Sequence, residues 1–560
     1  MTKTTDDARL AVTSLCEAFQ NTAARRPDAV ALRTPGGGGE IRWSEYAERV
    51  RRIAGGLHAL GVRRGDTLGL MLTNRPEFHL ADSAALHLGA TPFSIYNTSA
   101  PEQIAYLFGN AGTRVVLCEE QFAPRVLEAK DGTAVEHVIC VDGSPAGTTP
   151  LAALESQRRD GFDFEASWRV VDEGDVATLI YTSGTTGPPK GVELTHANLL
   201  AEFDGLRPHF PVGPDDRGLS YLPSAHVADR VLAHGFSMVF GMQVTCLDDP
   251  KQLVPTLLDV RPTYFGGVPR IFEKLMAGLE AAGVADATKL SEAECRAALE
   301  RIGLDQVRMA GCGAAPIPTE VLEFFISLGI PVQEVWGMSE LTGVATINPR
   351  DAIKVGSVGV PLAGVEVKLA DDGELLCRGP IVMRGYRGQP DETAEAIDAE
   401  GWMHTGDVAE IAADGYVRIV DRKKELIINA AGKNMSPANI EQKLKAASPL
   451  IGQAIAIGDG RPYNTALLVL DPDVCAAHAK RHGLPDASPA ALCEDPGVQQ
   501  EVARAVEAAN EQMSRVEQIK RYRILPNDWL PGGDELTPTS KLKRKPIAER
   551  YASEIDALYR

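Results

Sequence analysis

Between Asp66 and Cys118 the chain passes repeatedly from a short apolar run to an amphipathic stretch and back. Asp66–Thr73 predicts a strand, Glu77–Leu88 a helix and Thr91–Tyr96 a second strand. Ser99, Pro101 and Glu102 then make a capping-box pattern with proline in the first turn, opening a helix to about Asn110. Val115–Cys118 predicts a third strand. Strands separated by whole helices pair in parallel, with the helices on the faces of the sheet. The chain has 560 residues, and at about 100–200 residues per domain it should hold two to four packed units.

The alternation weakens over 131–167, where Gly, Ser, Pro and Thr cluster at 143–150, and a second α/β stretch follows over about 175–330. Between 355 and 420 short β runs surround Asp372-Gly373 and Asp414-Gly415. Past Asp421–Lys424, Ser436-Pro437 opens a helix to about Ala446, and Ile451–Leu470 predicts two strands around Gly458–Gly460. This last part reads as a separate small α+β domain.

Composition narrows the function. Hydrophobic residues at 44% and charged ones at 24% are ordinary for a globular chain and exclude a disordered, rod-like or polytopic membrane protein. With 57 basic and 76 acidic side chains the net charge is −19, which argues against nucleic acid as a partner. The nine cysteines are scattered, without a C-x-x-C pair, so isolated thiols are expected rather than a zinc site or disulfides. The first seven residues carry acid where a signal peptide needs a basic and then an apolar stretch. The longest apolar run, Gly235–Leu247, contains Ser237, Gln243 and Thr245 and is too short to span a bilayer. A cytoplasmic location is expected, with peripheral membrane contact and homodimerisation left open.

The segment richest in chemistry is Tyr181-Thr-Ser-Gly-Thr-Thr-Gly-Pro-Pro-Lys190-Gly191. Glycines let amides approach phosphate oxygens, hydroxyls donate to them, and the lysine adds charge, so the loop suits a polyphosphate. A P-loop reading fails there: Pro189 replaces the glycine before the lysine and Gly191 the magnesium-binding hydroxyl. Alternation in Val192–Thr195 predicts a hairpin instead. A merely flexible loop is weakened by the apolar strand before it, Val176–Tyr181, and the lysine after it. No G-x-S-x-G supports a serine hydrolase, since Gly218–Leu222 and Gly337–Leu341 both fail at the last position.

Eight further blocks follow in order: Tyr221–His226, Tyr264–Arg270, Gly311–Pro316, Trp336–Glu340, Gly401–Asp407, Asp421–Glu425, Gly432–Asn434 and Thr537–Lys541. With the loop they resemble the adenylate-forming superfamily of acyl-CoA synthetases, luciferases and peptide-synthetase adenylation domains. The resemblance implies an α/β fold with a large N-terminal domain of layered α/β subdomains plus a β-rich subdomain. Its extent would be 1–420, with subdomains of about 1–170, 171–330 and 331–420. A hinge at 421–424 and a small mobile α+β C-terminal domain at 425–560 would follow.

It also implies roles, residue by residue. Thr182, Ser183, Gly184, Thr185, Thr186, Gly187 and Lys190 would hold the ATP phosphates. Gly313 and Ala314 would lie against adenine with Trp336 near the base. Ser339 would reach the α-phosphate, and Glu340 would bind Mg2+. Asp407 and Arg422 would take the ribose, and Lys424 would be the hinge. Lys541 falls where the superfamily keeps its adenylation lysine, although Ser540 replaces the usual preceding glycine and Lys543 is a neighbouring candidate. As bare residues, Lys423 reads as solvated and Lys541–Lys545 as a surface basic run. His226 would be a wall or gate of the acyl site, with Tyr264, Gly266 and Gly267 leaving space for the chain. Gly432 and Lys433 would line the CoA channel.

Tyr264–Lys274, Trp336–Glu340 and Gly458–Tyr463 resemble the long-chain branch. The implied activity is an AMP-forming ligase of fatty acid and CoA, with ATP and Mg2+. A fatty acyl-AMP ligase serving a carrier protein, a synthetase for another carboxylic acid, and a non-enzymatic acyl- or nucleotide-binding protein are the alternatives.

Overall fold

The computed structural model describes residues 10–157, 161–182, 188–284, 286–428, 434–537 and 540–560. By their contacts these divide into two compact units. The first holds residues up to Val367 with Cys377–His404 and Ala413–Val417, and the second Lys368–Leu376, Thr405–Ala412 and Arg418–Arg560.

In the first unit the predicted strands fall at Thr67–Met71, Thr91–Ser94 and Val115–Cys118, with helices Pro76–Leu86 and Pro101–Ala111 between them. Thr67 opposes Thr91 and Leu68 opposes Val115, both in parallel. All five residues of Thr67–Met71 are buried, as a central parallel strand covered on both faces requires. The sheet has eight strands and runs across residue 171. Val176–Thr182 joins it beside Thr91–Ser94, followed by Lys190–Thr195 and an edge strand, Gly385–Tyr386. A second sheet of four strands takes Arg217–Ser220 and Gln243–Cys246 together with Val30–Thr34 and Gly39–Arg42. A third sheet orders Tyr264–Gly267, Met309–Cys312 and Val332–Trp336 side by side, continued by Thr346–Ile347 and Val360–Pro361.

The capping box before Ile104 lies one residue later than expected. Pro101 takes the first helical position, so Ala100 is the cap, and only the Gln103 half is made: Ala100 N–H donates to Gln103 Oε1 at 3.1 Å. The apolar run 235–247 is divided by Gly241, whose φ of 78° ends helix Phe236–Phe240 before strand Gln243–Cys246. No helix among the described residues is long and apolar enough to cross a membrane. All nine cysteines are buried and none forms a disulfide.

The second unit is built on strands Ile451–Ile457, Asn464–Leu470 and Ile519–Leu525. Every residue of Asn464–Leu470 is buried, because alternate side chains serve two cores. Ala466, Leu468 and Leu470 pack with helices Pro437–Ala447 and Pro496–Glu511. Leu467 and Val469 pack with Trp529, Ile547 and Tyr551. The predicted helix after Ser436 forms, with Ser436 Oγ accepting from Asn439 N–H at 3.0 Å.

One charged cluster lies wholly inside the first unit. Arg230 Nη1 donates to Asp82 Oδ2 at 2.6 Å, and His234 Nε2 lies 3.0 Å from Asp82 Oδ1. His234 Nδ1 lies 2.8 Å from His79 Nδ1. Burial opposes the Asp82 charge, yet Arg230 and His234 outweigh it and hold the carboxyl below the ordinary aspartate range. Removing one partner of a buried pair strands the other charge. Arg230→Met should therefore lower the urea midpoint by the equivalent of about 3–5 kcal/mol, and Asp82→Leu in the same chain should recover much of it. An unchanged midpoint in Arg230→Met would contradict this account of the core.

Candidate active site

Three parallel strands of the third sheet end together. Gly267 opposes Cys312, and Cys312 opposes Glu334, so Gly266-Gly267, Gly313-Ala314 and Trp336 gather at one carboxyl edge. Ligand sites of open α/β sheets form at such edges. A Cβ on Gly313 would stand 2.6 Å from Val335 Cγ2 and 3.0 Å from its carbonyl oxygen, so this backbone lies flat on the neighbouring strand. Ala314 follows at φ 70°.

Trp336 leads into a turn that sets Ser339 and Glu340. At Gly337 a Cβ would meet Gly343 O at 2.0 Å, which no side chain tolerates. Gly343 N–H donates back to Met338 O at 3.1 Å, and Thr342 Oγ1 donates to Ile381 O at 2.6 Å. The closed turn carries Ser339 and Glu340 in the short helix Ser339–Leu341, both buried. Glu202 braces it from helix His196–Leu206, accepting from Val344 N–H at 2.7 Å. Burial pushes the Glu202 carboxyl far above the ordinary carboxylate range, against the lowering effect of the Val344 N–H.

A residue missed in the sequence completes this corner. Tyr386 lies on the edge strand opposite Val192 and donates its hydroxyl to Glu340 Oε1 at 2.9 Å. Lys190 Nζ sits 4.7 Å from the centre of the Tyr386 ring. Burial first, and then the Glu340 carboxylate, raise the Tyr386 phenol well above its ordinary value, so it remains a donor. The expected hairpin brings Lys190 there: Thr182 opposes Lys190 and Tyr181 opposes Gly191 in an antiparallel pair. Ser183, Gly184, Thr185, Thr186 and Gly187 lie outside the described residues. No group of three or more His, Cys, Asp or Glu among the described residues forms a metal cage. A lone buried carboxylate fits a magnesium ion that takes its other oxygens from phosphate and water.

At the glycine pair, the space before Gly267 is filled by the Tyr221 hydroxyl and Phe272, each 3.1 Å from where a Cβ would stand. Before Gly266 stand the Tyr264 hydroxyl at 2.9 Å and Leu232 Cδ1 at 3.6 Å. The buried Tyr264 hydroxyl has no hydrogen-bond partner among the described residues. His226 Nδ1 accepts from Ala228 N–H at 3.2 Å and caps a short helix, Val227–Asp229, which assigns the ring proton to Nε2. Behind it, Ser220 Oγ donates to Asp229 Oδ2 at 2.8 Å, and Asn74 Nδ2 donates to Ser220 Oγ at 2.9 Å.

Within the second unit Asp407 and Arg422 meet, Arg422 Nε lying 2.6 Å from Asp407 Oδ1. Lys423 is not merely solvated: its ammonium pairs with Asp372 at 2.5 Å and Glu374 at 3.0 Å. Lys424 is exposed, and Gly432 and Lys433 lie outside the described residues. Lys541 sits on a tight turn in which Thr537 N–H donates to Lys541 O at 2.8 Å. Ser540 in that turn has φ 60°, a left-handed conformation that explains the glycine usual there. The Lys543 ammonium donates to Gly533 O at 2.8 Å.

The profile of the AMP-binding enzyme family matches residues 19–387, and that of the AMP-binding enzyme C-terminal domain matches 424–560. The chain belongs to the AMP-binding enzyme family. Within it, fadD11 of Mycobacterium tuberculosis is 52% identical over 451 residues, 74% of this chain and 79% of that one. The long-chain-fatty-acid–CoA ligase FadD15 of Mycobacterium bovis is 35% identical over 559 residues, covering 93% of this chain and 92% of its own. Among solved structures, the A-PCP didomain of carboxylic acid reductase from Segniliparus rugosus, in complex with AMP, superposes with a TM-score of 0.79 at 20% identity. It covers 98% of this chain and 82% of that chain. The o-succinylbenzoate coenzyme A synthetase of Bacillus subtilis, with ATP and magnesium ion, gives 0.72 at 22% identity over 94% and 98%. The fold is that of adenylate-forming enzymes, with a large N-terminal and a smaller C-terminal domain.

Burial raises the Asp229 carboxyl from the ordinary aspartate value to about 7. The folded family member then holds that proton more tightly than the unfolded chain does, so stability falls as pH rises from about 4 through 7. Asp229→Asn never charges, and its urea midpoint should fall less than that of the parent across this window. Parallel curves would contradict the assignment.

Proposed function

We propose that this family member is an AMP-forming long-chain fatty acid:CoA ligase, converting fatty acid, ATP and CoA to acyl-CoA, AMP and pyrophosphate. The observation that carries the reading is the corner where Lys190, Tyr386 and Glu340 converge beside Ser339. The similarity to FadD15 over 93% of the chain supports the acyl class.

A carboxylate resists substitution because oxide would have to leave. In the first half-reaction a fatty carboxylate oxygen attacks the α-phosphorus of ATP, and the bond to pyrophosphate breaks with its electron pair. Two anions must meet for this, so catalysis is largely positioning and charge neutralisation. Lys190 and the 183–187 hydroxyls hold the phosphates, and Ser339 donates to the α-phosphate. Glu340, oriented by Tyr386, would hold Mg2+, which neutralises phosphate charge when bound. Gly313 and Ala314 offer their backbone to adenine beside Trp336, and Asp407 accepts from the ribose hydroxyls with Arg422. Lys541 stabilises the charge developing at the α-phosphate. The engagement of Lys543 with Gly533 favours Lys541 for that role.

In the second half-reaction the CoA sulfur attacks the acyl carbonyl, the bond to AMP breaks, and the thiol proton goes to solvent. Residues 425–560 turn about Lys424 between the two steps, withdrawing Lys541 and bringing Gly432 and Lys433 to the pantetheine. His226 walls the reacting carboxyl from water, and the chain runs past Tyr264 and Gly266, with Gly267 behind.

Palmitate, ATP, Mg2+ and CoA should yield palmitoyl-CoA, AMP and pyrophosphate by mass spectrometry. Palmitoyl-AMP accumulating without palmitoyl-CoA would instead make the protein an acyl-AMP ligase. Lys541→Ala should slow pyrophosphate release by about 10²–10³-fold, the scale for losing one preorganised charge donor. It should leave thioester formation from supplied palmitoyl-AMP near the parent rate. Equal loss of both half-reactions would refute the assignment.

A further inference from the structure

Lys541 heads a stretch with four basic residues in five, and the fold treats them differently. Arg544 turns inward. Its Nη1 and Nη2 donate to Glu441 Oε1 and Oε2 at 2.7 and 2.9 Å, and its Nε donates to Glu425 Oε2 at 2.8 Å. Glu441, with only 7% of its side chain exposed, also accepts from Ala456 N–H at 2.8 Å. A solvated basic patch needs no such fork. A bidentate guanidinium on a buried carboxylate is the geometry that makes burying the acid tolerable.

One side chain thereby ties four stretches of the second unit. Glu425 belongs to the turn after the Asp407–Arg422 pair, its N–H donating to Arg422 O at 3.0 Å. Glu441 lies on helix Pro437–Ala447, and Ala456 on strand Ile451–Ile457. Arg544 itself opens helix Arg544–Arg550, three residues beyond Lys541. The Lys541 turn is closed at its base: Lys543 N–H donates to Glu535 O at 2.8 Å, and Leu536 pairs with Leu542. From Glu425 to the Lys541 turn the path is therefore continuous through Arg544.

We propose that Arg544 is a positioning residue for adenylation. The Glu441–Arg544–Glu425 clamp fixes the Lys541 turn to helix Pro437–Ala447 and to the turn at Glu425, and so sets the lysine amine for adenylation. This rests on the role given to Lys541 above. It deepens that reading by naming what holds the Lys541 turn within the second unit. Thioester formation, which does not use Lys541, does not depend on the clamp.

The test uses the full chain and both half-reactions: pyrophosphate release from palmitate and ATP, and palmitoyl-CoA formation from supplied palmitoyl-AMP. Glu425→Gln cuts the partly exposed arm alone, Arg544→Lys keeps the charge without the fork, and Lys541→Ala is the reference. Misplacing a catalytic group by about 1 Å costs up to about 10²-fold. Adenylation kcat should accordingly fall about tenfold in Glu425→Gln and about 10²-fold in Arg544→Lys, with thioester formation near the parent rate in both. Equal loss of both half-reactions in the two clamp variants would reduce the clamp to a structural tie and overturn the proposal. So would unchanged adenylation in those variants beside a disabled Lys541→Ala. Intact adenylation in Lys541→Ala would instead remove the underlying reading, and the proposal with it.

Discussion

The hydrogen bond from Tyr386 to Glu340 is the contact on which the candidate site of the first unit depends. A carboxylate buried in a closed turn needs a donor, and the separation of 46 positions from Glu340 to Tyr386 shows that sheet assembly supplies it. Tyr386 is there because its edge strand adds to Lys190–Thr195, which pairs with Val176–Thr182. The same register delivers Lys190 to the other side of the ring. On the opposite side the turn is fixed by close backbone contact at Gly337 and by the brace from Glu202. Fold and site are thus one construction, and the corner of Lys190, Tyr386 and Glu340 forms only when these strands of the eight-stranded sheet have assembled.

The net charge of −19 sharpens what this corner must achieve. Fatty carboxylate, ATP and CoA are all anions, so long-range attraction does not gather them. Local devices have to: Lys190 against the Tyr386 ring, Glu340 held by the Tyr386 hydroxyl, and, in the function proposed, the Asp407–Arg422 pair and Lys541. The second unit repeats the strategy of the first. There the basic run 541–545 is divided, with Arg544 committed to two carboxylates and Lys543 to a carbonyl.

Much of this was legible in the sequence where the signal is local. Period and capping placed the strands and helices of 66–118, the hairpin after Tyr181 and the strand pair 451–470. Block order placed Ser339, Glu340, Asp407 and Arg422, and the structure brings Asp407 and Arg422 together. Signals set by distant pairing were not legible. Tyr386 matters because its strand partner, Val192, and its hydrogen-bond partner, Glu340, both lie far back along the chain. Lys423 and Arg544 read as solvated because their carboxylate partners lie far along the chain. The cap at Ala100 was misplaced by one residue because Pro101 imposes its own helical start. The Tyr221 hydroxyl that stands against Gly267 comes from elsewhere in the fold and was not legible either.

The central claim is that Tyr386 orients Glu340 for a divalent cation, and the Mg2+ dependence of palmitoyl-AMP formation in Tyr386→Phe tests it most directly. Loss of a partner that orients a metal ligand costs about 10–100-fold in metal affinity or activity. The account predicts that half-maximal Mg2+ rises by about that factor while the thermal midpoint stays near the parent value. An unchanged Mg2+ requirement, with adenylation otherwise intact, would contradict it.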